Sequence, residues 1–281
     1  MIARRVRRAA PRAGLAAVAV AALAAPARAD VCDDAVIDPA PVALRAGGFD
    51  GGRSACLRSD LDLRLDAHAL IDTPGFYGTL GGGLRLGVRF VERVGFEWGA
   101  TLQVADVTFA QTAVLAVTEA GYGPVGLHAA VSRATSLAGR DLRLGGVVGF
   151  ELPFTRSALD ASSAGGQLAG LATWEASDRV VIHGRLGVLG WYGASAGGTS
   201  TRGAIAASAD AAVRTWSWLR AFGGLEVQGG WYGGGLDHVA LRLGAHWRLR
   251  GPWQLDAAAA APLVGAERTD VAFTFGLRHE R

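Results

Sequence analysis

Lysine and asparagine are absent from the 281-residue chain, so all 28 of its Lys/Arg side chains are arginine. A coding sequence rich in G and C accounts for both gaps, and their chemical consequences are definite. Without lysine there is no P-loop phosphate clamp and no Schiff-base nucleophile. Without asparagine there is no N-glycosylation sequon and no Ser-His-Asn catalytic set. Cysteine occurs only twice, at Cys32 and Cys56, with no histidine between them, which argues against a zinc site. The Gly triplets at 81–83 and 233–235 open no helix and fit no GxGxxG frame, so they are not nucleotide loops. No motif calls for a cofactor or a metal.

What is present begins with a leader. Arg4, Arg5, Arg7 and Arg8 precede an Ala-rich apolar stretch, Leu15 to Ala25, that is too short to cross a bilayer as a helix. Ala27-Arg28-Ala29 then places small residues where a signal peptidase reads them, which predicts a signal peptide over 1–29. Cys32 follows Ala29, Asp30 and Val31, which is not a lipoprotein signal. Residues 1–29 hold six arginines and no acid, so the remainder carries 22 Arg against 25 acids, a net charge of 22 − 25 = −3. The basic pI belongs to the leader, and no field is left to attract nucleic acid. In an exported chain Cys32 and Cys56 are expected to form a disulfide, closing a loop that contains Pro and Gly. Residues 30–58 show no period and read as an irregular N-terminal segment, lying outside the barrel or folding into its mouth as a plug.

From residue 59 onward the pattern changes. Leu84, Leu86, Val88 and Phe90 alternate with Arg85, Gly87 and Arg89, and the same period-2 beat recurs from Leu61 to Leu277. The runs last roughly ten to fourteen residues, the length a tilted strand needs to cross a bilayer and longer than most soluble strands. Twelve strands are predicted, starting near residues 61, 76, 94, 125, 142, 168, 180, 205, 219, 239, 253 and 271, with 105–123 read as a long loop. The links Glu92-Arg93, Ala138–Arg140, Ser177-Asp178, Ser217-Trp218 and Gly251-Pro252 are short. The alternate links include the long ones: 105–123, Thr155–Ser163, Gly193–Arg202 and Val264–Asp270. Short periplasmic turns and longer outer loops are the asymmetry expected of a bacterial barrel. The same threading gathers Phe90, Trp174, Trp216, Trp218, Trp247 and Trp253 at one rim, and Phe76, Phe154, Tyr192 and Trp231 at the other. Such rows suit the two wet boundaries of a membrane. Trp98 fits neither row.

On the leader, the alternating strands and the final strand Val271-Ala272-Phe273-Thr274-Phe275-Gly276-Leu277, residues 59–279 resemble the small outer-membrane β-barrel proteins of Gram-negative bacteria, porin-like ones included. The resemblance implies an all-β, antiparallel transmembrane barrel of about twelve strands in the bacterial outer membrane. It also implies contact with outer-membrane lipid and insertion by barrel-assembly machinery that reads a terminal aromatic signal. Arg278-His279-Glu280-Arg281 departs from that ending.

The side chains opposite the apolar ones are predicted to face the lumen: Arg64, Arg85, Arg89, Glu97, Arg143, Glu151, Arg185, Asp210, Arg214, Glu226, Arg242, Arg248 and Asp256. Both signs suit a water-filled passage whose charges tune selectivity. The same residues would close the lumen if they paired across it. Asp237-His238 and the inward His183 and His246 are the remaining catalytic candidates, but neighbours in a strand point to opposite faces. A soluble lipocalin-like barrel would turn its apolar residues inward and show no aromatic rows. The reading is a non-enzymatic passive pore or transporter for small solutes, the alternative a closed structural or surface-interaction barrel.

Overall fold

A computed structural model describes Cys32 and residues 53–72, 77–93, 95–111, 116–152, 162–195, 198–230, 236–264 and 271–280. Residues 1–29, most of 30–52 and the aromatic residues Phe76, Phe154 and Trp231 lie outside the described residues.

The strands are β1 (Asp60–Asp72), β2 (Tyr77–Arg93), β3 (Phe96–Gln111), β4 (Ala116–Gly121), β5 (Val125–Leu137), β6 (Arg140–Leu152), β7 (Ser162–Ser177), β8 (Val180–Ser195), β9 (Gly198–Trp216), β10 (Leu219–Gly230), β11 (Leu236–Arg248), β12 (Trp253–Val264) and β13 (Val271–Glu280). Each neighbour is antiparallel, and β13 returns to β1 from Asp60↔Glu280 to Ala69↔Val271. β4 and β5 both pair with β3, at its upper and lower parts, and together make one strand of the wall. The result is a closed barrel of 12 strands. Closure leaves no row of unpaired amides, the condition for a sheet to sit in hydrocarbon.

The predicted face assignment holds. Leu61, Leu63 and Leu65 are exposed on the outside while Asp60, Asp62 and Arg64 are buried inside. On β8 the outward Leu186 is 63% exposed and its inward neighbour Arg185 only 3%. That is the reverse of a lipocalin-like core: the large apolar side chains point out and the charges point in.

Two of the predicted loops are strands. Residues 105–111 and 116–121 extend the β3–β4 hairpin, and β8 and β9 run on to Ser195 and Gly198. At β3 the alternation is lost because of a bulge opposite Leu84/Arg85: Val104 and Ala105 are both exposed, and the outward phase moves to Val107 and Phe109. Across the pair, the outward phase passes from Tyr122 to Leu127 around Gly123-Pro124. At β9 the extension consists of Thr199, Ser200 and Thr201, which pair with β8 without the apolar residues that lipid demands.

Four of the predicted short links are turns at or within one residue of their predicted places, while Glu92-Arg93 continues β2 and the chain turns at Gly95 (φ 92°) instead. Ala138 (φ 53°) and Gly139 (φ 75°) are both left-handed, the requirement of the two-residue turn that matches strand twist. Trp98 also finds its place: it lies opposite Phe90, ring centroids 4.8 Å apart, in the aromatic row at the short-turn rim. Trp216 and Trp218 stack at 5.6 Å in the same row, and Trp253 meets His279 edge-on at 4.7 Å.

The outward face sets a test. Leu186→Arg, near the middle of β8, should lower folding stability into lipid vesicles by about 2–4 kcal/mol, and Leu137→Arg beside the 138–139 turn by about 0–1 kcal/mol. Equal effects at the two depths, measured by denaturant titration, would contradict a lipid-facing wall.

Candidate functional site in the barrel lumen

Among the described residues, inward side chains form three groups. In the first, around the closure seam, Arg278 is fully buried and lies 3.5 Å from Asp60 and 3.3 Å from Asp256. Asp60 also accepts from Arg89 Nε at 2.7 Å, and Asp256 Oδ1 lies 2.5 Å from His246 Nδ1. Arg64 pairs with Asp62 beside them, Arg85 is 3.9 Å from Asp66, and Thr274 donates to Asp66 at 2.7 Å. Ionic contacts therefore link β12, β13, β1 and β2 across the seam, and the His246–Asp256 hydrogen bond adds β11.

The second group centres on Arg242, also fully buried. Its guanidinium reaches Asp210 at 2.6 Å and Glu226 at 3.5 Å, joining β9, β10 and β11. Arg185 on β8 donates to Gln167 on β7. Gly224 stands between Asp210 and Arg242 in the register, and a Cβ there would collide with the Asp210 carboxylate. Gly244 likewise leaves room for the Phe222 ring. In-strand glycines thus make space for long inward side chains, beyond easing curvature.

The third group involves the segment before β1. Residues 53–56 are buried, at 7% exposure or less, inside the barrel. Arg53 pairs with Glu97, whose other carboxylate oxygen accepts the Arg58 N–H at 2.7 Å. The Ala55 N–H donates to Thr173 Oγ1 at 2.9 Å, and that hydroxyl lies 3.1 Å from His183 Nδ1. Ala55 packs with Ala130, Val147, Ala169 and Leu171. Cys56 packs with Ala212, Phe222, Ala240, Ala258, Ala260 and Ala272, on the opposite stretch of wall. Arg58 closes the short-turn end by pairing with Glu280 at 3.0 Å. The Cys32–Cys56 disulfide is present, with Cα atoms 5.5 Å apart, and Cys32 joins the same apolar cluster. Of the two placements open for this segment, its described part takes the inner one.

The predicted lumen residues do not all meet. Arg64, Arg85, Arg89, Glu97, Arg185, Asp210, Glu226, Arg242 and Asp256 are engaged in the groups above. Arg143 and Glu151 are half-buried on the inner face of β6, and Arg214 is half-buried opposite Arg220. Arg248 is exposed at the short-turn rim. Reading the terminal strand as ending at Leu277 missed Arg278, though Thr274, Gly276 and Arg278 continue its inward phase. Arg53 carried no periodic signal that could have found it. The inward His183 and His246 serve the plug contact and the seam, and the side chains of Asp237 and His238 lie outside the described residues.

No family model and no curated protein matches the chain. Among solved structures, the COG4313 outer membrane channel from Pseudomonas putida F1 superposes with a TM-score of 0.61 at 11% identity, covering 84% of this chain and 99% of that one. The KdgM porin in complex with oligogalacturonate gives 0.51 at 10% identity, over 79% and 99%. The β domain of the Bordetella autotransporter BrkA gives 0.50 at 15% identity, over 79% and 98%. The fold is that of bacterial outer-membrane barrels. Its exposed apolar belt, bordered at the short-turn rim by an aromatic row, is the surface such a barrel presents to lipid.

The Arg242 group predicts a marked asymmetry. Arg242→Ala should cost about 3–5 kcal/mol by leaving two buried carboxylates uncompensated. Neutralising all three residues (Asp210→Asn, Glu226→Gln, Arg242→Met) should recover most of that loss. A single variant that unfolds within about 1 kcal/mol of the parent would show that the group is not buried in the working protein.

Proposed function

We propose that this barrel is a passive outer-membrane channel for small solutes, narrowed from within by its own residues 53–58. The observation that carries the reading is that this segment is fastened by inner-wall side chains, Glu97 and Thr173, across the short-turn half of the lumen. Among the described residues those fastenings are few and polar, and Ala204 and Ala206 on the inner wall of the long-loop half belong to a separate cluster from the segment. The similarity to channels and porins supports a pore, while transport itself is the chain's own property to be measured.

In this reading residues 1–29 direct export and are removed, the insertion machinery assembles the barrel from its last strand, and no catalysis is involved. Solutes would move by diffusion, without energy coupling. A closed structural barrel is the second reading, favoured by the ion groups and the buried segment together.

Planar-bilayer recording separates the two. The full-length protein should give small, intermittent conductance steps, and Glu97→Ala with Thr173→Val should give larger and longer ones by loosening the segment. Silence from both proteins, with the barrel shown intact by a heat-modifiable gel shift, would establish the closed barrel instead.

A further inference from the structure

Glu97 is wholly buried, and among the described residues two of its three hydrogen-bond partners come from the segment rather than the wall: the Arg53 guanidinium and the Arg58 amide. The wall supplies His128, whose Nε2 lies 3.2 Å from Oε1. When the segment leaves, the carboxylate keeps the imidazole and loses the guanidinium opposite it. A carboxylate set in the inner wall pairs with the forked N–H donors of a planar, weakly hydrated guanidinium in a geometry that a compact hydrated ion does not match. The niche around Glu97 already accommodates such a group, because Arg53 fills it.

We infer that the Glu97 niche is a binding site for guanidinium-bearing solutes, occupied at rest by the chain's own Arg53, and that a solute of this class releases the segment by taking Arg53's place. The inference rests on the narrowed-channel reading. Arg53 competes intramolecularly: it lies three residues from Cys56, which the wall packs and the disulfide ties to Cys32. A short tether of this kind gives an effective concentration on the order of millimolar, so a free solute must reach that range to displace it.

The test uses the full-length protein in planar bilayers with guanidinium chloride or L-arginine at about 1–20 mM, set against equal additions of sodium chloride. Guanidinium and arginine should raise the opening frequency roughly tenfold at the upper end of that range, where the free solute exceeds the tether's millimolar effective concentration by about that factor, and sodium should not. Glu97→Gln and Arg53→Ala should both open without the additive and show no further response, while retaining the heat-modifiable gel shift of a folded barrel. A wild-type channel that answers guanidinium no more than sodium would overturn the inference and leave the channel reading standing, as would a Glu97→Gln channel that still responds. Silence from the wild type and from both variants would overturn the channel reading, and this inference with it.

Discussion

Hydrocarbon offers no partner to a backbone amide, and the architecture follows from that one fact. A sheet can cross a membrane only by returning to its own first strand, which here means β13 pairing with β1 along ten successive residues. The seam carries more than main-chain bonds. Arg278, near the end of the sequence, is held between Asp60 at the start of β1 and Asp256 on β12, and Asp60 passes the contact on to Arg89 of β2. The same stretch that departs from an ordinary aromatic ending thus fastens the two ends of the wall from inside.

Period-2 geometry then forces a division of labour. Every residue not needed by lipid faces a narrow interior, so the charges excluded from the outer face must be accommodated there. Arginine suits such an interior, because its long stem packs and its forked head meets carboxylates on neighbouring strands. Glycine on the facing strand provides the space, as Gly224 does for Asp210 and Gly244 for Phe222. The apolar wall that remains, mostly alanine, is what Ala55 and Cys56 pack against. Filling the lumen and facing the lipid are two outcomes of one alternation.

Much of this was legible in the sequence, and its limits have physical causes. The strands in the membrane were readable because lipid punishes a polar outward residue at every second position; Leu61 to Leu65 and Val180 to Val188 show it. The reading failed where that pressure ends or the phase slips, at the β3 bulge near Val104-Ala105 and in the Thr199–Thr201 extension. Trp98 stands apart from both rows on a third strand that starts near 94 and ends before 105; β3 instead runs from Phe96 to Gln111, which puts Trp98 near its short-turn end, opposite Phe90. The inward charges could be assigned to a face but not to partners, since Arg242 meets Asp210 and Glu226 through register rather than local spacing. The placement of the buried segment stayed open between two alternatives: Arg53-Ser54-Ala55-Cys56 has no period, and only the closed wall gives it an inside to occupy.

Whether residues 53–58 sit within the lumen decides between a filled barrel and an open one, and amide hydrogen exchange on the protein in lipid nanodiscs reads it directly. The Ala55 and Arg58 amides, bonded to Thr173 and Glu97, should exchange far more slowly than an unstructured chain and approach the protection of strand amides in β1. Exchange of both at the free-chain rate, with the strands protected, would contradict the account.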